Sequence, residues 1–251
     1  DVIFGFVPPV LLSKAVRCTW LQIPYAGAEA VLAAEWGNPE MVLTNGSGVF
    51  GPSIAEHVIG MILTFNRGLH VARDHQKDRL WRWESDYPFR ELTNSTVGIL
   101  GFGNIGQHVA KRLSQFGCKI VGFRTRPQGN EEHVQAVYPL AEIDDHLGSL
   151  DYVVCALPHT SSTIGFLGKG RLAKLPRHAI VINVGRGSLI PEKDLIEALT
   201  EGIIAGAGLD VLPEEPLPKE SKLWAIPNLV ITPHNSGLTP YHTERALDIF
   251  L

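Results

Sequence analysis

Cysteine is scarce: Cys18, Cys118 and Cys155 are the three in 251 residues, with no CxxC pair. That excludes a disulfide-stapled secreted scaffold and a zinc ribbon, and fits reduced thiols in a cytoplasmic protein. No HExxH occurs among the ten histidines, so no metal site is implied. No apolar run approaches the roughly 20 residues a membrane helix needs, and the opening residues show no signal-peptide pattern. Basic residues are not in excess: Lys and Arg number 22 against 26 Asp and Glu, a net charge of −4. A basic face for nucleic acid is therefore excluded. Internal repeats and low-complexity segments are also missing.

What is there is a chain 45% apolar, long enough for two compact units. It starts at Asp1 inside a strand-like run and stops at Leu251 inside a helical one, and so reads as a piece of a longer protein. Residues 1–45 alternate short strands (Val2–Gly5, Cys18–Ile23, Met41–Thr44) with a helix near Val10. Ser53 and Glu56 have capping-box spacing. Ile54, Val58, Met61, Ile62 and Phe65 then recur at helical intervals, predicting one helix over 53–77. From Val97 the order is strand, helix, strand, repeated. Strands are expected at Val97–Leu100, Ile120–Phe123, Tyr152–Leu157, Ile180–Asn183, Ala205–Leu209 and Val230–Thr232. Their apolar runs lack alternation, as in strands buried on both faces of a parallel sheet. The stripe Ile105, Val109, Leu113, Phe116 marks a helix that Gly117 would stop, and Pro191 opens another. The expected class is α/β, a Rossmann-type doubly wound parallel sheet with pieces of a second domain at its flanks.

The run V97-G-I-L-G-F-G-N-I-G106 places Gly101-x-Gly103-x-x-Gly106 after a strand and at the start of a helix. That context makes it a dinucleotide-binding turn. Gly101 permits the turn and Gly103 lets backbone approach a pyrophosphate, which the amides of Asn104 and Ile105 would meet. Gly106 lets the helix pack on the strand. An acidic residue at the end of the next strand would hold the ribose hydroxyls. This chain has Arg124-Thr125-Arg126 there. A guanidinium cannot accept a hydrogen bond but can clamp a 2′-phosphate. NADP(H) is therefore favoured over NAD(H), which stays possible if the arginines are solvated surface charge.

Arg186, Glu215 and His234 lie where later strands end, the ligand side of such sheets. The combination suits carbonyl reduction: the arginine binds a carboxylate and polarises the ketone, and the imidazolium donates a proton. The glutamate fixes the imidazole tautomer and favours its charged form. The competing reading is a structural ion-pair network. His57 reads as a partly buried packing histidine, His159 as a surface residue or one bordering the cofactor, and Asp144-Asp145 as a solvated loop or helix end.

These motifs together (G101-F-G-N-I-G106, L157-P-H-T160, N183-V-G-R-G187, G208-L-D210 with Glu215-Pro216, and T232-P-H234) resemble the D-isomer-specific 2-hydroxyacid dehydrogenase family over nearly the whole chain. The resemblance implies a catalytic triad of Arg186, Glu215 and His234. Glu215 is preferred to Glu214 because of the Pro216 after it and its distance from Asp210. It also implies an Asp210 contact to the nicotinamide carboxamide and a cofactor lining of Leu157, Pro158, Thr163 and Val184. The substrate carboxylate would meet the Ala26-Gly27 turn, near Asn45, and Arg186. Residues 1–46 and 236–251 would be remnants of a split flavodoxin-like substrate domain, truncated at both ends. Residues 47–235 would form the dinucleotide-binding domain, with hinges near 46–52 and 234–237. Helix 53–77 would make a homodimer, and Trp81 and Trp83 would reach a neighbouring subunit or pack locally. The implied activity is hydride transfer between NADP(H) and a 2-keto acid or D-2-hydroxy acid, with no nucleic-acid or membrane partner. Two other readings of the same fold stay open: a nicotinamide-sensing corepressor-type scaffold, and a formate dehydrogenase-like enzyme, which the glutamate argues against.

Overall fold

A computed structural model describes residues 1–82, 87–129 and 131–251; Trp83 lies outside the described residues. The chain forms two units, Asp1–Gly51 with Leu238–Leu251, and Pro52–Gly237.

The first unit is a three-stranded parallel sheet of β1 (Val2–Phe4), β2 (Trp20–Gln22) and β3 (Val42–Thr44), in that order. A short α1 (Glu29–Leu32) and a 3-10 stretch Pro9–Lys14, where the sequence predicts a helix, close over Leu12, Leu21, Ile23, Val31 and Met41. The helix His242–Phe250 joins them through Phe250, whose ring lies 4.9 Å from Phe4 and 5.0 Å from Trp20. Two distant stretches of chain thus form one unit, with aromatic rings in contact.

The second unit opens with α2 (Gly51–Asn66) and α3 (Leu69–Lys77). The single helix predicted over 53–77 is broken. Gly68 adopts a left-handed φ of 62°, and a side chain there would also press on the Tyr87 ring at 3.1 Å. Helical periodicity runs through this point unchanged, and glycine alone takes the left-handed bend at no steric cost. The helix also starts two residues before the expected cap, and the Ser53 hydroxyl donates to the Gly237 carbonyl at 3.3 Å.

The sheet follows: β4 (Thr96–Leu100), α4 (Asn104–Leu113), β5 (Lys119–Arg124), β6 (Ala136–Pro139), β7 (Tyr152–Cys155), α5 (Lys169–Leu172), β8 (Ile180–Asn183), α6 (Glu192–Thr200), β9 (Gly206–Leu209) and β10 (Leu229–Ile231). Its order is β10-β9-β8-β7-β4-β5-β6 and every pair is parallel. The α/β doubly wound class is as expected. The central strands β7, β8 and β9 are buried throughout, which is why they read as unbroken apolar runs. Strand β9 is Gly-Ala-Gly-Leu, a poor strand sequence, because α2 lies close on it: a Cβ at Gly208 would meet Met61 at 2.8 Å. The edge strand β6 was not predicted; its residues are half-buried and carry no two-faced apolar signal. The chain winds outward from β4 through β5 to β6, then returns to β7 and winds the other way. The reversal lies between β4 and β7, where such sheets bind ligands at their carboxyl ends.

Asp144 lies at the end of the 3-10 stretch Leu140–Asp145, one of the two positions expected for it, and is also ion-paired there. Arg171 reaches one of its oxygens at 2.9 Å and Lys174 the other at 2.7 Å. Those hydrogen bonds, Arg171 first, hold its pKa at about 2. Because the folded value lies below the unfolded one, near 3.9, the stabilisation is complete above about pH 4 and is lost as pH falls toward 2. Asp144→Asn should therefore lower stability at neutral pH and flatten its decline between about pH 4 and 2 relative to the parent. Urea titrations across that range would detect it; parallel pH profiles would mean that the ion pairs do not stabilise the fold.

Candidate active site

Four loops at the carboxyl ends of the sheet meet backbone to backbone, through glycine. Gly101 follows β4 with φ 98°, and a Cβ on it would lie 2.6 Å from the Ala156 carbonyl carbon after β7. A Cβ on Gly185, after β8, would sit 2.6 Å from the Leu157 carbonyl oxygen, and one on Gly187 would collide with the Leu212 carbonyl after β9. Arg186 stands between these two glycines. Its NH1 donates to the Gly185 carbonyl at 2.8 Å, and the buried Asn183 amide holds the loop from below through the Arg186 carbonyl at 3.0 Å and the Gly185 N–H at 3.1 Å.

The glycine turn fits a dinucleotide pyrophosphate. A Cβ at Gly106 would meet the Gly101 oxygen at 2.5 Å, whereas one at Gly103 would meet nothing within 4 Å. Gly101 and Gly106 are thus required by the fold itself, while Gly103 leaves open space at the mouth of α4. That helix has no side-chain cap and no acid in its first turn. The amides of Asn104, Ile105 and Gly106 therefore carry the partial positive charge that suits an anion. At the end of β5, Arg124 is partly buried and Thr125 and Arg126 are exposed. Leu157 and Val184 are buried at the ends of β7 and β8, while Pro158 is exposed. Thr163 is buried, and its hydroxyl locks the Leu157–Thr160 turn by donating to the Pro158 carbonyl at 2.6 Å and accepting from the Thr160 N–H at 2.9 Å.

His234 and Glu215 come together. The Nδ1 of His234 lies 2.7 Å from one Glu215 oxygen, and the Leu212 N–H donates to the other at 2.8 Å. A carboxylate only accepts, so Nδ1 carries a proton and Nε2 is left for a reactant. About half of the His234 side chain is exposed, at 52%. The pair lines a cavity of about 580 Å³ with apolar walls from Leu217, Trp224 and Ile231.

Asp210 holds the turn on which His234 sits. Its carboxylate is fully buried and accepts from the Thr232 hydroxyl at 2.6 Å, the Asn235 N–H at 3.0 Å and the Ser236 N–H at 3.1 Å. Burial acts to raise its pKa, but the hydrogen bonds from Ser236 and Thr232 and from the Asn235 amide outweigh it and hold the group below the usual carboxylate range. His234 itself has φ 51°, and its N–H donates to the Asp210 carbonyl at 2.9 Å. A left-handed histidine is costly, and this turn keeps it there. His57, read as a packing histidine, instead reaches the same network, with Nε2 3.0 Å from the Thr232 hydroxyl and 3.8 Å from Asp210.

In the first unit the Asn45 amide donates to the Ala26 carbonyl at 2.8 Å and its oxygen accepts from the Ser47 N–H at 3.2 Å. Asn45 therefore pins the Ala26-Gly27 turn. Among the described residues no group of three metal-ligating side chains gathers, and no helix is long and apolar enough to cross a membrane.

A family model described as "D-isomer specific 2-hydroxyacid dehydrogenase, NAD binding domain" matches residues 59–236. The chain belongs to that family. It is 33% identical over 190 residues to a glycerate dehydrogenase of Methylorubrum extorquens, covering 72% of this chain and 57% of that enzyme. It is 32% identical to a glyoxylate/hydroxypyruvate reductase of Arabidopsis thaliana, over 100% of this chain and 77% of that one. Among solved structures, the NADPH-dependent glyoxylate/hydroxypyruvate reductase of Sinorhizobium meliloti, in complex with NADP and sulfate, superposes with a TM-score of 0.87 at 30% identity. That match covers 100% of this chain and 79% of that one. The chain thus spans little more than half the length of the Methylorubrum relative.

For this family member, the supporting partners of the site escaped sequence reading: Asn183, Thr232, the Leu212 amide and His57. Asn183 and Thr232 lie inside the motifs quoted for Arg186 and His234 but without a role read for them, and neither the Leu212 amide nor His57 belongs to any motif. Asp210→Asn would keep an oxygen for the Thr232 hydroxyl and the Asn235 N–H but turn an N–H₂ toward the Ser236 N–H, and should cost about 1–3 kcal/mol of stability. Chemical denaturation measures this; an unchanged midpoint would mean that the His234 turn is held by other groups.

Proposed function

We propose that this chain carries the catalytic centre of a D-2-hydroxyacid dehydrogenase that works as a 2-keto acid reductase, with NADP(H) favoured over NAD(H). The proposal rests on one observation: His234, at the end of the sheet that carries the dinucleotide turn, is paired through Nδ1 with Glu215 at 2.7 Å. A nicotinamide dinucleotide, when bound, supplies the hydride. Gly101, Gly103 and Gly106, with the Asn104 and Ile105 amides, hold its pyrophosphate. Leu157, Pro158, Thr163 and Val184 line it, and Asp210 accepts from the nicotinamide carboxamide. Arg124, Thr125 and Arg126 take the 2′-phosphate.

Arg186 binds the substrate carboxylate and polarises the ketone, with Ala26, Gly27 and Asn45 as further substrate-binding residues. His234 delivers the Nε2 proton to the substrate oxygen, and Glu215 balances the charge on the ring while it does so. Relatives named for glyoxylate and hydroxypyruvate make small 2-keto acids the first substrates to try. The same reading takes α2 and α3 as the homodimer surface and the cytoplasm as the compartment. A scaffold role and a formate dehydrogenase-like reaction are not favoured, given the reductases among the relatives and the His–Glu pair.

Full-length protein should oxidise NADPH faster than NADH with glyoxylate or hydroxypyruvate. His234→Ala should lower kcat about 100-fold or more while leaving the Kd for NADPH unchanged; an unaltered kcat would overturn the assignment. Arg124→Asp should swing the preference toward NADH, and an unmoved ratio would make these arginines surface charge.

A further inference from the structure

The acid missing from the end of β5 is replaced from elsewhere. Glu131, in the loop that follows, has a nearly buried side chain, with 7% of its surface exposed. One of its oxygens accepts from the Gln128 N–H at 2.9 Å and the other from the Gly129 N–H at 3.0 Å. The first of these oxygens also lies 3.8 Å from the Arg124 guanidinium. Backbone hydrogen bonds, led by that from Gln128, keep the carboxyl below its ordinary pKa against the opposing effect of burial, so the group is an anion at neutral pH.

We propose that Glu131 is an internal anion on Arg124 that sets how strongly this protein distinguishes a 2′-phosphorylated dinucleotide from its unphosphorylated counterpart. The inference rests on the dinucleotide reading above and names a residue for its specificity. Two consequences oppose each other. For a plain ribose, Arg124 offers no acceptor, and the carboxylate beside it is that of Glu131, at 3.8 Å. For a 2′-phosphate, Glu131 already occupies the guanidinium that the phosphate needs, and it repels the incoming charge. The contact at 3.8 Å is looser than a hydrogen bond, so it yields at small cost. Arg124 can leave this contact while Glu131 stays on the Gln128 and Gly129 amides, and the carboxylate then remains beside a polar cavity of about 390 Å³ lined also by Lys111, His108 and His133. Arg124 thus favours the phosphorylated cofactor, and Glu131 moderates that preference.

The test is binding without turnover. Dissociation constants for NADPH and NADH are measured by quenching of protein fluorescence on the full-length protein, Glu131→Gln and Glu131→Ala. Glutamine keeps an acceptor for the Gln128 or Gly129 amide, which preserves the loop; circular dichroism checks both variants. Removing the charge should tighten NADPH roughly three- to tenfold at low salt, less at high salt, and leave NADH equal or weaker. A ratio of the two constants unchanged in both variants would overturn the proposal while leaving the cofactor reading intact. Failure of the parent protein to bind either nucleotide would overturn the cofactor reading and this inference with it.

Discussion

Backbone-to-backbone contact between the strand-end loops is the constraint on which the rest of this site depends. A parallel sheet delivers all its carboxyl ends to one edge, but side chains would normally keep the following loops apart. Here Gly101 meets Ala156, Gly185 meets Leu157 and Gly187 meets Leu212 without a Cβ between them. These contacts bring the dinucleotide turn, the Arg186 loop and the Leu212–Glu215 loop within reach of one another. The glycines in G101-F-G-N-I-G106 and N183-V-G-R-G187 therefore do two different jobs. Most allow the chain to touch itself, and Gly103 alone keeps space clear for something that is not protein.

The charged groups then fall into two sets, one buried and one exposed. Asp210 is buried against the turn Thr232–Ser236 and accepts its hydrogen bonds, while Glu215 and His234 stay exposed. An ionised carboxylate buried without partners would be expensive. Asp210 avoids that cost by accepting from a hydroxyl and two backbone amides, and its hydrogen bonds hold His234 in a conformation it would not otherwise keep. The exposed pair has the opposite design. Each Glu215 oxygen has one fixed partner, so the ring of His234 is oriented while Nε2 remains free of the pairing.

The sequence made legible what depends on local pattern. Strands β4, β7 and β8 announced themselves because both of their faces are buried. The glycine turn did so because its spacing is set by its own geometry, and the residues of the His234–Glu215 pair could be picked out because each lies in a short motif. What depends on packing between distant segments was not legible. The bend at Gly68 hides inside an unbroken helical periodicity, since an isolated glycine is tolerated in a helix. Strand β6 is an edge strand and carries no core signature. His57 and Thr232 sit far apart in sequence, and only the approach of α2 to the sheet joins them. Asp144 looked like a solvated acid because its cations, Arg171 and Lys174, come from beyond β7.

The two ends of the dinucleotide site are built on different physics. The pyrophosphate end is made of backbone, with amides and a helix terminus fixed by the fold, and no side-chain substitution short of breaking the turn changes what it offers. On the proposed reading the adenosine end is made of side-chain charge on a loop: Arg124 at the close of β5, with Glu131 at 3.8 Å from it. Charge on a partly exposed loop is screened, adjustable by single substitutions and separate from the hydrogen bonds that orient His234. On that reading cofactor identity can change at the β5 end without disturbing the His234–Glu215 pair, because among the described residues the hydrogen bonds of Glu131 and those of the turn that Asp210 holds share no partner.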